Sequence, residues 1–259
     1  MARLVLTHVE PRGSRIAAGL RGAGHEVLSL AFSRLRGIPE AAGRLATADL
    51  AGYHRIIVVS PSAACFAAQA RPGPWPVSAR FAAVGPGTGE ALLESGVAAT
   101  AEQVESPDGE HHDADAMLGQ ASFREGAGRR ILVLAGTVGR RDWAGTLESR
   151  GFSVERIELY RREAIMPDEP DWQRLVEWSD GGADAAFIVT TVDAADRLLA
   201  ELGARALDGW ARRCIAFCPH QRIAARLVAA AWDDVRVPGG GRLLDAAIES
   251  GLPARDPGQ

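Results

Sequence analysis

Three glycines, Gly85, Gly87 and Gly89, surround Thr88 in the segment "AAVGPGTGEALLESGV", between an apolar run and a helical pattern. Such a loop suits an anion, because backbone N–H groups at a helix start can close on phosphate or carboxylate oxygens. It is not a nucleotide loop. The chain contains no lysine, which excludes GxxxxGK[ST]; the glycine spacing fails GxGxxG, and Pro86 stiffens the turn where a pyrophosphate would need close approach. Small polar residues recur after other apolar runs, at Thr7, Ser60 and Ser62, Gly136 to Gly139, Thr190 and Thr191, and His220 and Gln221. Singly, a Ser or Thr in such a place is a helix N-cap. Gathered around one cleft, the set would bind a polyanion. One residue outside the set stands apart: Tyr160 in "ELYRRE", one of two tyrosines, with a packing role as its alternative.

Other chemistries find little support. "GEHHDADAM" offers His111, His112, Asp113 and Asp115, but adjacent histidines diverge and no i,i+4 pair of histidines exists, so a polar loop capped at Asp113 is expected rather than a metal site. Cys65, Cys214 and Cys218 make neither a disulfide ladder nor a four-ligand set and are read as reduced thiols; no Gly-x-Ser-x-Gly elbow appears. No metal or cofactor is expected. The net charge of −4, without a basic tract, argues against nucleic-acid binding; all 29 cations are arginines, which are scattered and read as compositional bias. No apolar stretch reaches the roughly 18 residues a membrane span needs, and none at the start resembles a signal peptide. A cytoplasmic protein is expected, monomeric for want of heptads or a long apolar edge.

The elements that must position these residues alternate between strand and helix. Short β-type runs at 3–7, 25–30, 55–60, 80–85, 129–135, 153–159, 184–190, 213–218 and 233–237 are separated by helical patterns at 14–22, 62–69, 89–95, 142–150, 193–202 and 222–231. This predicts an α/β protein with parallel sheets, whose ligands bind beyond the carboxyl ends of the strands. The order also repeats. Leu20, Gly24 and Val27 match Leu147, Gly151 and Val154; Val59 and Ala64 match Val189 and Ala194; Pro86 and Ala91 match Pro219 and Ala224. Two copies of one α/β design are expected. "SLAFSRLRGIPE" and "ELYRREAIMPDEP" each follow the second strand of the repeat as extended, arginine-bearing segments ending in proline. If both cross between domains, residues 40–160 form one domain, 1–30 plus 170–259 form the other, and 31–39 with 161–169 are linker strands. The tail "GLPARDPGQ" is expected to be disordered.

In combination, "RLVLT", "VVSPSA" (58–63), "AAVGPGTGEALLESGV" (82–97), "ILVLAGTVGRRDWAGTLESRGFSVERIELYRR" (131–162) and "CPHQRIAARLVAAAW" (218–232) resemble the uroporphyrinogen-III synthase family, in order and over nearly the whole chain. The resemblance implies two flavodoxin-like domains joined by a two-stranded linker. It also implies a cofactor-free reaction on a linear tetrapyrrole: hydroxymethylbilane loses its terminal hydroxyl to give an azafulvene, the fourth pyrrole attacks through its substituted carbon, and a spiro intermediate rearranges to close the macrocycle with ring D inverted. An enzyme of this kind chiefly holds one geometry and assists departure of the hydroxyl.

By position, Tyr160 matches the family's cleft tyrosine and is assigned as proton donor to that hydroxyl, since a phenol can donate at neutral pH. Thr7, Ser60, Ser62, Gly85, Thr88, Gly139, Arg140, Thr191, His220 and Gln221 are assigned as holders of substrate carboxylates, Thr88 foremost, facing His220 and Gln221 across a shared cleft. Two departures count against full anion binding. The chain reads Thr7-His8-Val9-Glu10-Pro11 where the family often has Thr-Arg-Pro, and Ala135 stands where an arginine is common. A noncatalytic relative binding a tetrapyrrole or another polyanion is the alternative; a nucleotide-binding domain lacks the loop chemistry.

Overall fold

The computed structural model of the chain describes residues 1–107, 114–139, 142–239 and 241–250. It divides into two compact units, the first Met1–Leu35 with Glu163–Gln259 and the second Arg36–Arg162. Its strands are β1 (Arg3–Leu6), β2 (Glu26–Ser29), β3 (Ser33–Gly37), β4 (Arg55–Val58), β5 (Phe81–Ala83), β6 (Val104–Glu105), β7 (Arg130–Gly136), β8 (Ser153–Ala164), β9 (Ala186–Ile188), β10 (Ile215–Phe217) and β11 (Asp234–Arg236). One sheet runs β2-β1-β9-β10-β11 with every pair parallel. The other runs β3-β8-β7-β4-β5-β6, and its β8-β7, β7-β4, β4-β5 and β5-β6 pairs are parallel.

The central strands are apolar along their whole length because both faces are covered. In β1, Leu4 and Leu6 join one core and Val5 the other; in β7, Leu132 and Leu134 face one core and Ile131, Val133 and Ala135 the opposite one. Side chains alternate across a strand, so each sheet is sandwiched between two layers of helices, the arrangement that a β/α alternation demands.

All the strands read as apolar runs are present, most of them shortened; β3 lies within residues 31–39, expected to be extended, and β6 joins them. β8 is longer than its apolar pattern, running on through Tyr160 to Ala164. The division between units falls within β3 and within β8. Ile38 N–H donates to Leu159 C=O at 2.9 Å in the second unit, and Ile165 N–H donates to Phe32 C=O at 3.1 Å in the first. Among the described residues no helix is long and apolar enough to cross a membrane.

Candidate active site

In each sheet the chain moves outward in both directions from one pair of central strands, β1 and β9 in the first unit and β7 and β4 in the second. The loops leaving such a pair part to opposite faces, opening a crevice at the carboxyl ends of the strands. In the second unit this is the place of Gly136, at the end of β7, and Ser60, just past β4.

Ser60 caps the helix Pro61–Ala70, its Oγ accepting from Ala63 N–H at 3.1 Å. The same oxygen lies 3.1 Å from Tyr160 Oη. The Tyr160 ring stacks on Phe66 of that helix, with centroids 5.0 Å apart and planes inclined by 20°. The ring also lies against Gly136, where an added Cβ would come within 2.7 Å of two ring carbons. The structure thus brings Ser60 and Tyr160 together and adds Phe66 and Gly136 as neighbours. Ser62 follows in the first turn of the helix, half-buried. Gly139 holds φ at +143°, a backbone conformation suited to glycine, and Arg140 lies outside the described residues, as do His111, His112 and Asp113.

The second tyrosine lies at the opposite end of this sheet. Tyr53 precedes β4, donates its hydroxyl to Glu155 and lies under Arg130, whose guanidinium carbon is 4.3 Å from the ring centroid. Burial first, and then the hydrogen bond to Glu155, push its phenol up to about 12. It is locked in a structural cluster, which leaves Tyr160 as the tyrosine at the strand ends.

The helix starts fall into two kinds. Those after β4 and β9 are capped by their own side chains, Ser60 as above and Thr191 through Ala194 N–H at 3.1 Å. Those after β5 and β10 have no side-chain cap: Gly85 precedes the helix Pro86–Glu94, and exposed His220 precedes Gln221–Ala229. These are the two turns that share Pro86 and Pro219. Thr88 is buried at 4% exposure and its N–H is engaged by Gly85 C=O at 2.9 Å, so the exposed group at this start is its neighbour Gly87. At the other, Ile223 and Ala224 N–H groups both return to His220 C=O, ahead of which the Gln221 and Arg222 N–H groups have no backbone partner among the described residues. Helix starts with free N–H groups carry the positive end of the helix dipole.

In the first unit the central pair is bridged. Thr7 Oγ1 donates to Ile188 C=O and accepts from Thr190 N–H, while Thr190 Oγ1 donates to Thr7 C=O, each at 3.2 Å. The following helix, Arg12–Gly22, already holds a carboxylate of its own: Glu10 Oε2 accepts from Ser14 N–H at 3.2 Å and Ser14 Oγ at 2.7 Å. His8 is buried beside it, and burial, aided by Arg12 and opposed by Glu10, lowers its imidazole to about 4. A neighbouring cavity of about 500 Å³ is lined by Glu10, Arg21, Arg34, Asp168 and Asp171 among others, a mixed-charge wall poorly suited to a polycarboxylate. Burial raises the Asp171 carboxyl, opposed by the Ser29 N–H it accepts from at 3.3 Å.

Residues 14–240 match the model of the family described as uroporphyrinogen-III synthase HemD. The chain belongs to the uroporphyrinogen-III synthase family. A curated uroporphyrinogen-III synthase from Salmonella typhimurium is 28% identical over 241 residues, spanning 90% of this chain and 94% of that protein. Among solved structures, the uroporphyrinogen-III synthetase of Helicobacter pylori aligns with a TM-score of 0.54 at 13% identity, covering 96% of this chain and 100% of that one. A mutant uroporphyrinogen III synthase from Thermus thermophilus aligns with a TM-score of 0.50 at 17% identity, covering 97% and 99%. At such identities these two show the shared α/β fold.

Sequence reasoning found Tyr160 and Ser60 separately, within this uroporphyrinogen-III synthase family pattern, but not their contact. It missed Phe66, which reads as one more apolar residue of a helix, and the seat at Gly136. Glu10 carried a signal that could have been used, since a Glu four residues before Ser14 at a helix start is placed to cap it.

Proposed function

We propose that this chain acts as the enzyme its family is named for, a uroporphyrinogen-III synthase, converting hydroxymethylbilane to uroporphyrinogen III with loss of water and inversion of ring D. The observation that carries the reading is Tyr160 Oη, held 3.1 Å from Ser60 Oγ at the strand-end crevice of the second unit. Ser60 Oγ already accepts from Ala63 N–H, so its own proton is available to Tyr160 Oη. That leaves the phenol proton for a second acceptor, the substrate's terminal hydroxyl. Transfer releases water and the azafulvene, which ring D attacks through its substituted carbon; the spiro intermediate rearranges and loses a proton to close the macrocycle. The tyrosinate is then reprotonated from solvent. In the second unit the helix start after β5 offers Gly87 N–H to a carboxylate, with Ser62, Gly139 and Arg140 as further partners; in the first unit the helix start after β10 offers Gln221 and Arg222 N–H, with His220 beside them. Thr7 acts through the strand ends it fastens with Thr190, and Thr191 through the helix after β9 that it caps. The family name and the curated relative's name favour the enzyme over a noncatalytic binder.

The parallel cores of the two sheets follow one spatial pattern, β2-β1-β9-β10-β11 and β8-β7-β4-β5-β6. We read them as two flavodoxin-like copies of one design, with the order of segments permuted in the second and with β3 and β8 as the connecting strands. The kinetic test is Tyr160→Phe. With hydroxymethylbilane as substrate, kcat falls about tenfold or more while KM stays near the parent value. A parent-like kcat removes Tyr160 from the reaction.

A further inference from the structure

We propose that Phe66 and Gly136 are positioning residues that clamp the Tyr160 ring, an inference that rests on the role given to Tyr160 above. The clamp is assembled from separate elements. β7 and β8 pair in register up to Ala135 with Glu158, and the next pair is Gly136 with Tyr160, so the ladder skips Leu159. Side chains alternate along a strand, so Tyr160 would otherwise leave the face of Leu159; the bulge keeps both against one core and sets Tyr160 opposite position 136.

That ring fits only because position 136 has no side chain. A Cβ there would stand 2.7 Å from both Cε2 and Cζ and 3.1 Å from Oη of Tyr160, the first two closer than non-bonded carbons approach. Phe66 stacks on the same ring, near-parallel, with centroids 5.0 Å apart. Phe66 is itself backed by Gly37 at the end of β3, where an added Cβ would lie 3.4 Å from Phe66 Cε1. Thr137 N–H donates to Tyr160 C=O at 3.0 Å and fixes the backbone beneath the ring. Glycine, tyrosine, phenylalanine and glycine thus form one continuous stack, with Ser60 the hydroxyl at its edge. A proton donor must be placed to well under an ångström, and this stack restrains the two side-chain torsions that would swing Oη away.

The test is a double-mutant cycle with a spectroscopic readout. Gly136→Ala, Phe66→Leu and Tyr160→Phe are made singly, and each clamp variant is also combined with Tyr160→Phe. Gly136→Ala and Phe66→Leu each lower kcat about tenfold with KM nearly unchanged, yet add no further loss in the Tyr160→Phe background, because the hydroxyl they position is already gone. The chain has only two tyrosines, so ring-¹³C-tyrosine labelling gives two signals, and the one missing from Tyr160→Phe is that of Tyr160. Both clamp variants shift that signal and leave the Tyr53 signal in place. A slow Tyr160→Phe enzyme beside clamp variants of parent rate, or clamp defects that add in full to that of Tyr160→Phe, overturns the clamp alone. An unshifted Tyr160 signal in both clamp variants overturns it also. A Tyr160→Phe enzyme at the parent rate overturns the role of Tyr160 and the clamp together.

Discussion

Replacing Ser60 separates its two jobs. The hydroxyl caps the helix Pro61–Ala70 through Ala63 N–H, and it meets Tyr160 Oη, each at 3.1 Å. Loss of a serine cap costs about 1 kcal/mol when alanine replaces it but only about a few tenths when glycine does, since glycine readily takes the cap backbone and leaves the N–H groups to water. A neutral hydrogen bond between half-buried groups contributes about 1 kcal/mol. Ser60→Ala therefore destabilises the second unit by about 2 kcal/mol, and Ser60→Gly by about 1 kcal/mol. Turnover follows another order. Both variants lack the hydroxyl that orients the phenol, so both lose about fivefold in kcat, the equivalent of about 1 kcal/mol in the barrier. Ser60→Thr keeps cap and contact and stays near the parent on both measures. Urea unfolding followed by circular dichroism gives the stabilities, and initial rates with hydroxymethylbilane give kcat. Equal destabilisation of the alanine and glycine variants would refute the capping assignment, and parent-like kcat in both would refute the contact with Tyr160 as part of the reaction.

Acid should weaken the first unit through His8. Its imidazole sits at about 4 in the folded protein against 6.5 when exposed, so between those values the unfolded chain takes up a proton that the folded chain refuses. Stability is unaffected above pH 6.5 and declines toward pH 4 by up to about 3 kcal/mol; His8→Leu flattens this decline in urea melts, and an unchanged slope excludes His8 as its source. Burial pushes the Cys214 and Cys218 thiols up to about 11, whereas Cys65 is only half-buried. One thiol per chain should react quickly with a disulfide reagent at pH 8 and all three after unfolding; a second fast thiol in the native protein contradicts the packing around β10.

Much of the fold was legible because its strands are buried on both faces. "RLVLT" and "RRILVLA" read as strands without any partner in view, and the small residues after them marked where the strands end. β6 is only two residues long and offers no apolar run, while β3, "SRLRG", was legible only as an arginine-bearing extended segment after the second strand of the repeat. The pattern Trp172, Leu175, Trp178 marks the buried stripe of the helix Glu169–Asp180, which lies outside the helical patterns read from the sequence.

The site was legible in its parts but not in its assembly. Tyr160 stood out by rarity and Ser60 by its place before Pro61. Their contact depends on the skipped Leu159, and register between strands is set by tertiary packing that one strand's sequence does not carry. Thr88 drew attention as the hydroxyl among glycines, yet it is the residue that the first helical turn buries. The run Thr7-His8-Val9-Glu10-Pro11 reads as a weakened anion-binding position, and within it Glu10 is an internal carboxylate occupying the helix start.

The most direct measurement is the isomer composition of the product. Purified protein is mixed with freshly generated hydroxymethylbilane, and uroporphyrinogen isomers are resolved against an enzyme-free control over a range of protein concentrations. A uroporphyrinogen-III synthase consumes the substrate at a rate proportional to its concentration and drives the product to the type III isomer. Formation of the type I isomer alone, at the spontaneous rate whatever the amount of protein, would contradict the enzyme assignment.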